Sequence, residues 1–183
     1  MAHYLVSGQN MIDLKVDTTM NTIDKKNIAL VAHDYKKKDL IEWALYNKSV
    51  LAGHSLFATE ATGNLVEKEL NLPVTKVKSG SMGGNQQIAT KISEGEIDIL
   101  IFFWDPLTQL PSDPEVKALL RIGMAWNIPV GCNRATADFL VSSPLLNSSY
   151  QKQQPDYKAQ GKENLSESFF SDTDENYGLL LTI

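Results

Sequence analysis

From residue 27 to residue 142, short aliphatic runs alternate five times with segments whose apolar residues recur at helical spacing. The β-branched, aliphatic runs predict buried strands. Alternating strands and helices predict βαβ units, which require a parallel sheet covered by helices on both faces. We therefore predict an α/β fold, a single doubly wound domain with a five-stranded parallel sheet. The predicted strands are 27–33, 55–59, 74–80, 97–104 and 128–133, and the predicted helices are 37–53, 62–71 (capped by Thr62), 85–95, 113–127 and 134–142.

The sequence on either side of this region differs from it. Residues 1–26 show no sustained period and are interpreted as an N-terminal extension. Residues 158–183 are predicted to be an acidic, flexible C-terminal tail, because four carboxylates and no basic residue occur after position 164. The tail ends on the apolar run "YGLLLTI". That run is either a frayed terminus or a segment that docks on a neighbouring subunit.

Composition excludes several classes of protein. The net charge of -5 and a single short basic stretch, residues 36–38, argue against nucleic-acid binding. The longest purely apolar run, "ILIFFW", is far shorter than the roughly 20 residues that cross a membrane. The single cysteine, Cys132, allows no internal disulfide and fits a reducing compartment, where we expect it to be a buried strand residue. No secretory signal pattern is present, so we expect a cytoplasmic protein.

The candidate binding residues follow the predicted strands. A doubly wound sheet binds ligands outside the carboxyl ends of its strands, where the strand order reverses. Each candidate also has an alternative explanation as a turn or capping residue. The groups that this rule selects are His33 with Asp34, residues 59–62, residues 79–85, Asp105 and Asn133.

These side chains suit a phosphorylated ligand. A phosphate requires backbone N–H donors, hydroxyl groups and a cation. The aspartates at strand ends, Asp34 and Asp105, can position or accept protons, and His33 can polarise a carbonyl group. The sequence therefore predicts a site for a small, oxygen-rich, phosphorylated metabolite. The phosphate donors it offers are Ser79, Gly80, Thr59, Thr62 and Lys37.

Several motifs in a fixed order resemble methylglyoxal synthase. They include "IALVAHD", "SGSMGGNQQ", "IDILIFFWDPL" and "ATADF", and the resemblance covers residues 27–157. It implies a homohexamer that uses no cofactor and no metal. It also implies a lyase reaction in which dihydroxyacetone phosphate loses a C3 proton, expels phosphate and becomes methylglyoxal. The same fold serves as a ligand-sensing domain in carbamoyl phosphate synthetase.

The resemblance matches the family's phosphate-binding positions and departs at its proton-transfer positions. Asn85 stands where the family has a catalytic aspartate, Ser112 where it has a catalytic histidine, and Glu115 where it has a further aspartate. Glu60 and Ala61 replace a glycine and a threonine in the phosphate-binding segment. No counterpart of the family's C-terminal arginine occurs near residue 164. The matching positions are His33, Lys37, Thr59, Thr62, Ser79, Gly80, Asp105 and Arg121.

Three functions follow from this pattern. An amide cannot accept a proton, so we expect synthase activity that is weak or lost. One alternative is a non-catalytic, metabolite-binding or regulatory module, which modulates an active paralogue through mixed hexamers. Another is an enzyme whose base has moved: either a functioning synthase that uses Glu60, Asp105 or Glu115, or an enzyme with new chemistry in which Glu60 is the base and the substrate is unphosphorylated. Glu60 is also expected to repel phosphate, because it places a carboxylate where the family has a glycine.

Overall fold

The computed structural model describes residues 24–107 and 113–153. Five strands form one sheet in the order β3-β2-β1-β4-β5, and every neighbouring pair is parallel. The chain moves outward from β1 to β3 on one side and from β4 to β5 on the other, so the sheet is doubly wound, which confirms the predicted fold. The strands are β1 (Asn27–Ala32), β2 (Ser55–Thr59), β3 (Val74–Val77), β4 (Ile99–Phe103) and β5 (Val130–Gly131).

Helices cover both faces of the sheet. They are α1 (Lys37–Tyr46), α2 (Lys48–Leu51), α3 (Glu60–Leu70), α4 (Gly84–Ser93), α5 (Asp113–Ala125) and α6 (Arg134–Ser142). Buried residues of α1, α2, α3 and α6 pack on one face, and those of α4 and α5 pack on the other.

The central strand β1 contributes to both cores because its side chains alternate between the two faces. Ile28 and Leu30 contact the α1 side, whereas Ala29 and Val31 contact the α4 side.

Several boundaries differ from the predictions, and three of the differences have a local cause or consequence. The helix predicted over 37–53 is two helices, because the Asn47 backbone leaves the helical region and its Nδ2 donates to the Trp43 carbonyl at 3.0 Å. The prediction that Thr62 caps its helix is wrong: α3 begins two residues earlier, after Thr59. The last strand has only two residues, because Asn133 already caps the next helix.

Parts of the chain are outside the described residues. The predicted extension, except for residues 24–26, and the tail fall there, and so does Ser112. Among residues 24–107 and 113–153, no helix is both long and apolar enough to cross a membrane.

Candidate functional site

The sheet has its switch point between β1 and β4. The chain leaves β1 toward one face of the sheet and leaves β4 toward the other, which opens a crevice at the carboxyl ends of these strands. A cavity of about 540 Å³ lies there, and we call it the ligand cavity. Its lining residues are Val31, Ala32, His33, Asp34, Lys37, Thr59, Ala61, Ser79, Gly80, Ser81, Asn85, Phe102 and Glu115.

His33 is a buried donor in the wall of the ligand cavity. Its backbone N–H donates to the Phe103 carbonyl at 3.2 Å, which extends the β1–β4 hydrogen bonds by one residue. Its Nδ1 accepts the Asp105 backbone N–H at 3.2 Å, so the neutral imidazole carries its proton on Nε2. That buried Nε2 has no hydrogen-bond partner within the described part of the chain. A ligand oxygen would satisfy it.

Two helices begin at the ligand cavity without a capping side chain. Thr59 precedes α3 and Gly83 precedes α4, and neither makes a side-chain cap hydrogen bond. The first N–H groups of a helix have no partner inside it, and they carry the positive end of the helix dipole. Both helix starts therefore offer backbone donors to an anion.

The glycine turn, residues 79–85, holds more of these donors. The N–H groups of Met82 and Gly84 donate to the Ser79 carbonyl at 3.0 and 2.9 Å and fold the turn onto it. Gly83 adopts φ 87°, and a Cβ on Gly84 would lie 2.1 Å from the Lys78 carbonyl oxygen. Only glycine tolerates these two positions.

The folded turn leaves donors free on its cavity side. The N–H groups of Gly80 and Ser81 have no hydrogen-bond partner among residues 24–107 and 113–153. Both residues line the ligand cavity. The hydroxyl groups of Ser79 and Ser81, 3.4 Å apart, stand beside them.

Lys37 is the cation of the ligand cavity. Its Nζ contacts Asp34 Oδ1 at 2.5 Å. The hydrogen bond from Lys37, and then its charge, lower the pKa of Asp34. The Asp34 side chain is 88% exposed and that of Lys37 21% exposed, so solvent screens the carboxylate more than the ammonium. A phosphate in the cavity would compete with Asp34 for this ammonium.

Asn85 and Glu115 bring different chemistry to the same cavity. Asn85 is buried in the first turn of α4, and its carboxamide makes no hydrogen bond within the described ranges. Glu115 is half-buried near the start of α5. Of the described lining residues, Asp34 and Glu115 carry the carboxylates.

The remaining candidates are placed differently. Asp105 is buried but does not line the ligand cavity, and its Oδ1 accepts the Leu107 N–H at 3.1 Å. Glu60 is exposed and also absent from the lining. Thr62 is buried, and its hydroxyl accepts from Thr59 at 3.4 Å.

Two candidates lie away from the cavity. Asn133 caps α6, where its Oδ1 accepts the Thr136 N–H at 2.9 Å. Arg121 lies in a groove along α5. Cys132 is half-buried, and burial raises the pKa of its thiol, so it is not a ready nucleophile.

Some lining residues were not predicted. Ser81 is not one of them, because it lies within the selected range, residues 79–85. Phe102 had no signal in the sequence, because the continuous apolar run of a strand buried on both faces does not show which way each side chain points. Its ring meets the edge of His33, with 5.2 Å between ring centroids. No group of three or more potential metal ligands occurs in the described residues.

Comparisons with known proteins identify the family to which this chain is similar. A family model described as "MGS-like domain" matches residues 39–132. A methylglyoxal synthase of Photorhabdus laumondii is 56% identical over 141 residues, which cover 77% of this chain and 93% of that protein. A methylglyoxal synthase of Proteus mirabilis is 55% identical over 151 residues, covering 82% of this chain and 98% of that protein.

A solved structure of a methylglyoxal synthase is also similar to this chain. The crystal structure of methylglyoxal synthase from Elizabethkingia anophelis is 47% identical and superposes with a TM-score of 0.71. The match covers 75% of this chain and 91% of that chain. Identity of this size over nearly the whole length of these proteins shows common descent as well as a common fold. The chain therefore belongs to the methylglyoxal synthase family.

Proposed function

We propose that the ligand cavity binds a small phosphorylated metabolite of the triose phosphate class. We further propose that the chain converts dihydroxyacetone phosphate to methylglyoxal weakly or not at all. The observation that carries the proposal is Asn85, a buried carboxamide in the cavity wall at the position of the family's catalytic base.

The proposed phosphate binding rests on the hydrogen-bond donors that line the ligand cavity. The amides of Gly80 and Ser81 and the Lys37 ammonium suit the oxygens of a phosphate. The proton on His33 Nε2 suits the carbonyl oxygen of a ketose phosphate. A buried donor without a partner, such as His33 Nε2, is costly, which favours a ligand rich in acceptors. Thr59 and Ser79 add hydroxyl groups.

The proposed loss of activity rests on the carboxamide of Asn85, which stands where the resemblance places a carboxylate base. Phosphate elimination begins when a base removes the C3 proton of the substrate, and a positioned base contributes about 10²–10⁴ in rate. A carboxamide does not accept a proton at any pH at which the protein is folded. His33 can still stabilise the enediolate oxygen through Nε2–H, so residual turnover is compatible with this cavity.

Glu115 is the second candidate for the base. It is half-buried and lines the ligand cavity, whereas Glu60 is exposed outside it and Asp105 is absent from its lining. Asp34 also lines the cavity, but it is paired with Lys37. Residual activity, if measured, is therefore expected to depend on Glu115.

Assembly and location are part of the same proposal. The family resemblance suggests a homohexamer, and the exposed Met124 and the groove along α5 provide apolar surface for contacts between subunits. The free thiol of Cys132 is compatible with a cytoplasmic location. Light scattering should report an oligomer at micromolar concentration, and a monomer would contradict the proposal.

Direct assay tests the function. Methylglyoxal formation from dihydroxyacetone phosphate should be at least about a hundredfold slower than that of the Photorhabdus laumondii relative assayed in parallel. A rate within tenfold of that relative would overturn the proposal. Calorimetry with 2-phosphoglycolate should still detect binding. Binding without turnover would favour a regulatory module.

Residual turnover, if present, can be assigned with a matched pair. Glu115→Gln should abolish it, and Glu60→Gln should leave it unchanged because Glu60 is exposed and lies outside the cavity lining. The opposite result would identify Glu60 as the base.

A further inference from the structure

A second cavity lies at the opposite end of the sheet from the ligand cavity. It measures about 440 Å³, and we call it the basal cavity. It is bounded by the residues that precede β1, the start of β4, the end of α6 and residues 143–152. This volume is within the range of pockets that bind small molecules or a few side chains.

The basal cavity has an apolar floor that is incompletely covered. Ile99 and Leu146 are buried in it. Leu145 and Tyr150 also line it, yet each is 53% exposed. Two large apolar residues beside one cavity form a surface that another apolar segment can cover with a gain in free energy.

The rim of the basal cavity carries excess positive charge. Lys26 pairs with Asp24 at 2.7 Å. The Asp98 carboxylate accepts the Asn27 N–H at 2.9 Å and keeps its negative charge, so three lysines stand against two aspartates in the lining. Lys25 and Lys152 form no ion pair within residues 24–107 and 113–153. Two lysines without an ion pair, on a rim with a net positive charge beside an apolar floor, suit a ligand with carboxylates next to an apolar group.

The C-terminal sequence of the chain has this composition. Asp172, Asp174 and Glu175 lie within five residues before "YGLLLTI", and no basic residue occurs after position 164. The chain leaves the described region beside the basal cavity, since Gln151 and Lys152 are part of its lining. Each residue spans up to about 3.3–3.6 Å, so residues 154–171 are ample to return the terminus to the cavity.

The N-terminal extension fits less well. Residues 1–23 also lead into this cavity through Asp24, but they contain Lys15 together with acidic residues and have no apolar run as long as "YGLLLTI".

We propose that residues 172–183 bind in the basal cavity of the same chain, with "YGLLLTI" on the floor and the three carboxylates beside Lys25 and Lys152. Tethering to the rim of the cavity raises the effective concentration of the segment, which favours the same chain over a neighbour. The proposal is independent of the ligand cavity and of any activity there.

Peptide binding to a shortened chain is the first test. A chain ending at residue 164 should fold, because the Elizabethkingia anophelis structure corresponds over 91% of its own length to 75% of this chain. A synthetic peptide of residues 165–183 should bind this shortened chain in calorimetry, and bind the full chain at least tenfold more weakly. Failure to bind the shortened chain, or equal binding to both, would overturn the proposal.

Charge reversal tests the location. Lys25→Glu with Lys152→Glu in the shortened chain should weaken peptide binding at least tenfold. The control, Lys48→Glu with Lys68→Glu at exposed positions outside the basal cavity, should leave binding unchanged. Loss of binding in the control, with none from the change at Lys25 and Lys152, would place the peptide elsewhere and refute the basal cavity.

Hydrogen exchange of the full chain and of two deletion variants tests which terminal segment covers the basal cavity. Loss of residues 165–183 should raise exchange in residues 143–152, whereas loss of residues 1–23 should not. If only the second deletion raises exchange, the N-terminal extension is the occupant and the proposal is wrong. If shortening the C-terminus also lowers the oligomeric state, the segment binds a second copy, which contradicts binding within one chain.

Discussion

Each end of the sheet holds a buried histidine, and the two have the same local arrangement. His33, after β1, accepts the Asp105 N–H on Nδ1 at 3.2 Å, and His54, before β2, accepts the Lys26 N–H on Nδ1 at 3.2 Å. In both, the buried Nε2 has no partner in the described part of the chain. Yet His33 lines the ligand cavity, and His54 lines none of the cavities described here.

The surroundings explain the difference. At the carboxyl end of the sheet, the uncapped starts of α3 and α4 and the turn after Ser79 leave donors that a ligand can use. At the other end, burial and then the charges of Lys26 and Lys25 lower the pKa of His54. The same imidazole arrangement therefore lies beside free backbone donors at one end of the sheet and beside lysines at the other.

Restoring proton transfer should give the largest effect. Asn85→Asp with Ser112→His is expected to raise the rate of methylglyoxal formation by about 10²–10⁴ or more. The two changes should be non-additive because they act on one transition state. Steady-state kinetics of the single and double variants measures this. A double variant that folds, binds 2-phosphoglycolate and remains inert would show that the cavity end has lost more than proton transfer.

Gly84→Ala should disrupt the cavity end while leaving the other end intact. Its Cβ would overlap the Lys78 and Ser79 carbonyl oxygens, at 2.1 and 2.8 Å. We expect a loss of about 1–3 kcal/mol in unfolding free energy and of 2-phosphoglycolate binding. The control is Gly80→Ala in the same turn, where the nearest atom would be 3.9 Å away. Thermal unfolding of both variants measures the effect, and equal melting temperatures would contradict it.

The two histidines can be compared directly. His33→Asn retains an acceptor for the Asp105 N–H but removes the Nε2 donor, and should weaken 2-phosphoglycolate binding by about 1–3 kcal/mol, roughly 5- to 150-fold. His54→Asn should leave this affinity unchanged. Calorimetric titration of the two variants with 2-phosphoglycolate measures these affinities. An equal loss of affinity would mean that the two ends are not functionally distinct.

The smallest expected effect is a pH dependence of stability from His54. Its pKa in the folded protein is below the ordinary value of 6.5, so near and below pH 6.5 the unfolded chain binds a proton that the folded chain does not. Stability should therefore fall as the pH drops from about 7.5 through 6.5. His54→Asn should flatten this part of a melting-temperature profile. A profile that His54→Asn leaves unchanged would assign the dependence to other groups.

The regular part of the fold was predictable from the sequence. Aliphatic runs and helical spacing identified all five strands and the helices between them, because burial on a parallel sheet leaves a continuous apolar signal. Boundaries were less predictable. Helix α1 ends before Asn47, and helix α3 begins after Thr59, because of local backbone conformation and hydrogen bonds. Hydrophobic periodicity does not report these.

The sequence predicted which strand ends contribute to the candidate site, but not which side chains there line the cavity. His33, Ser79 and Asn85 do line one cavity, as their places after strands suggested. The strand-end rule does not say which way a side chain points, so it also selected Asn133, which caps α6. The indirect role of Asp105, whose backbone orients His33, depends on a contact between residues 72 positions apart.

The pairing of β1 with β4 also has a kinetic consequence. β1 forms hydrogen bonds to β2 on one side and to β4 on the other, and Ala32 is paired with Phe103. During synthesis, at about 5–20 residues per second, β1 can pair with β2 long before β4 emerges from the ribosome. Until then one edge of β1 remains unpaired, and the crevice beside it does not exist. The crevice that holds the ligand cavity can thus form only after β4 has been made, and until then β1 presents an unpaired apolar strand edge to other chains.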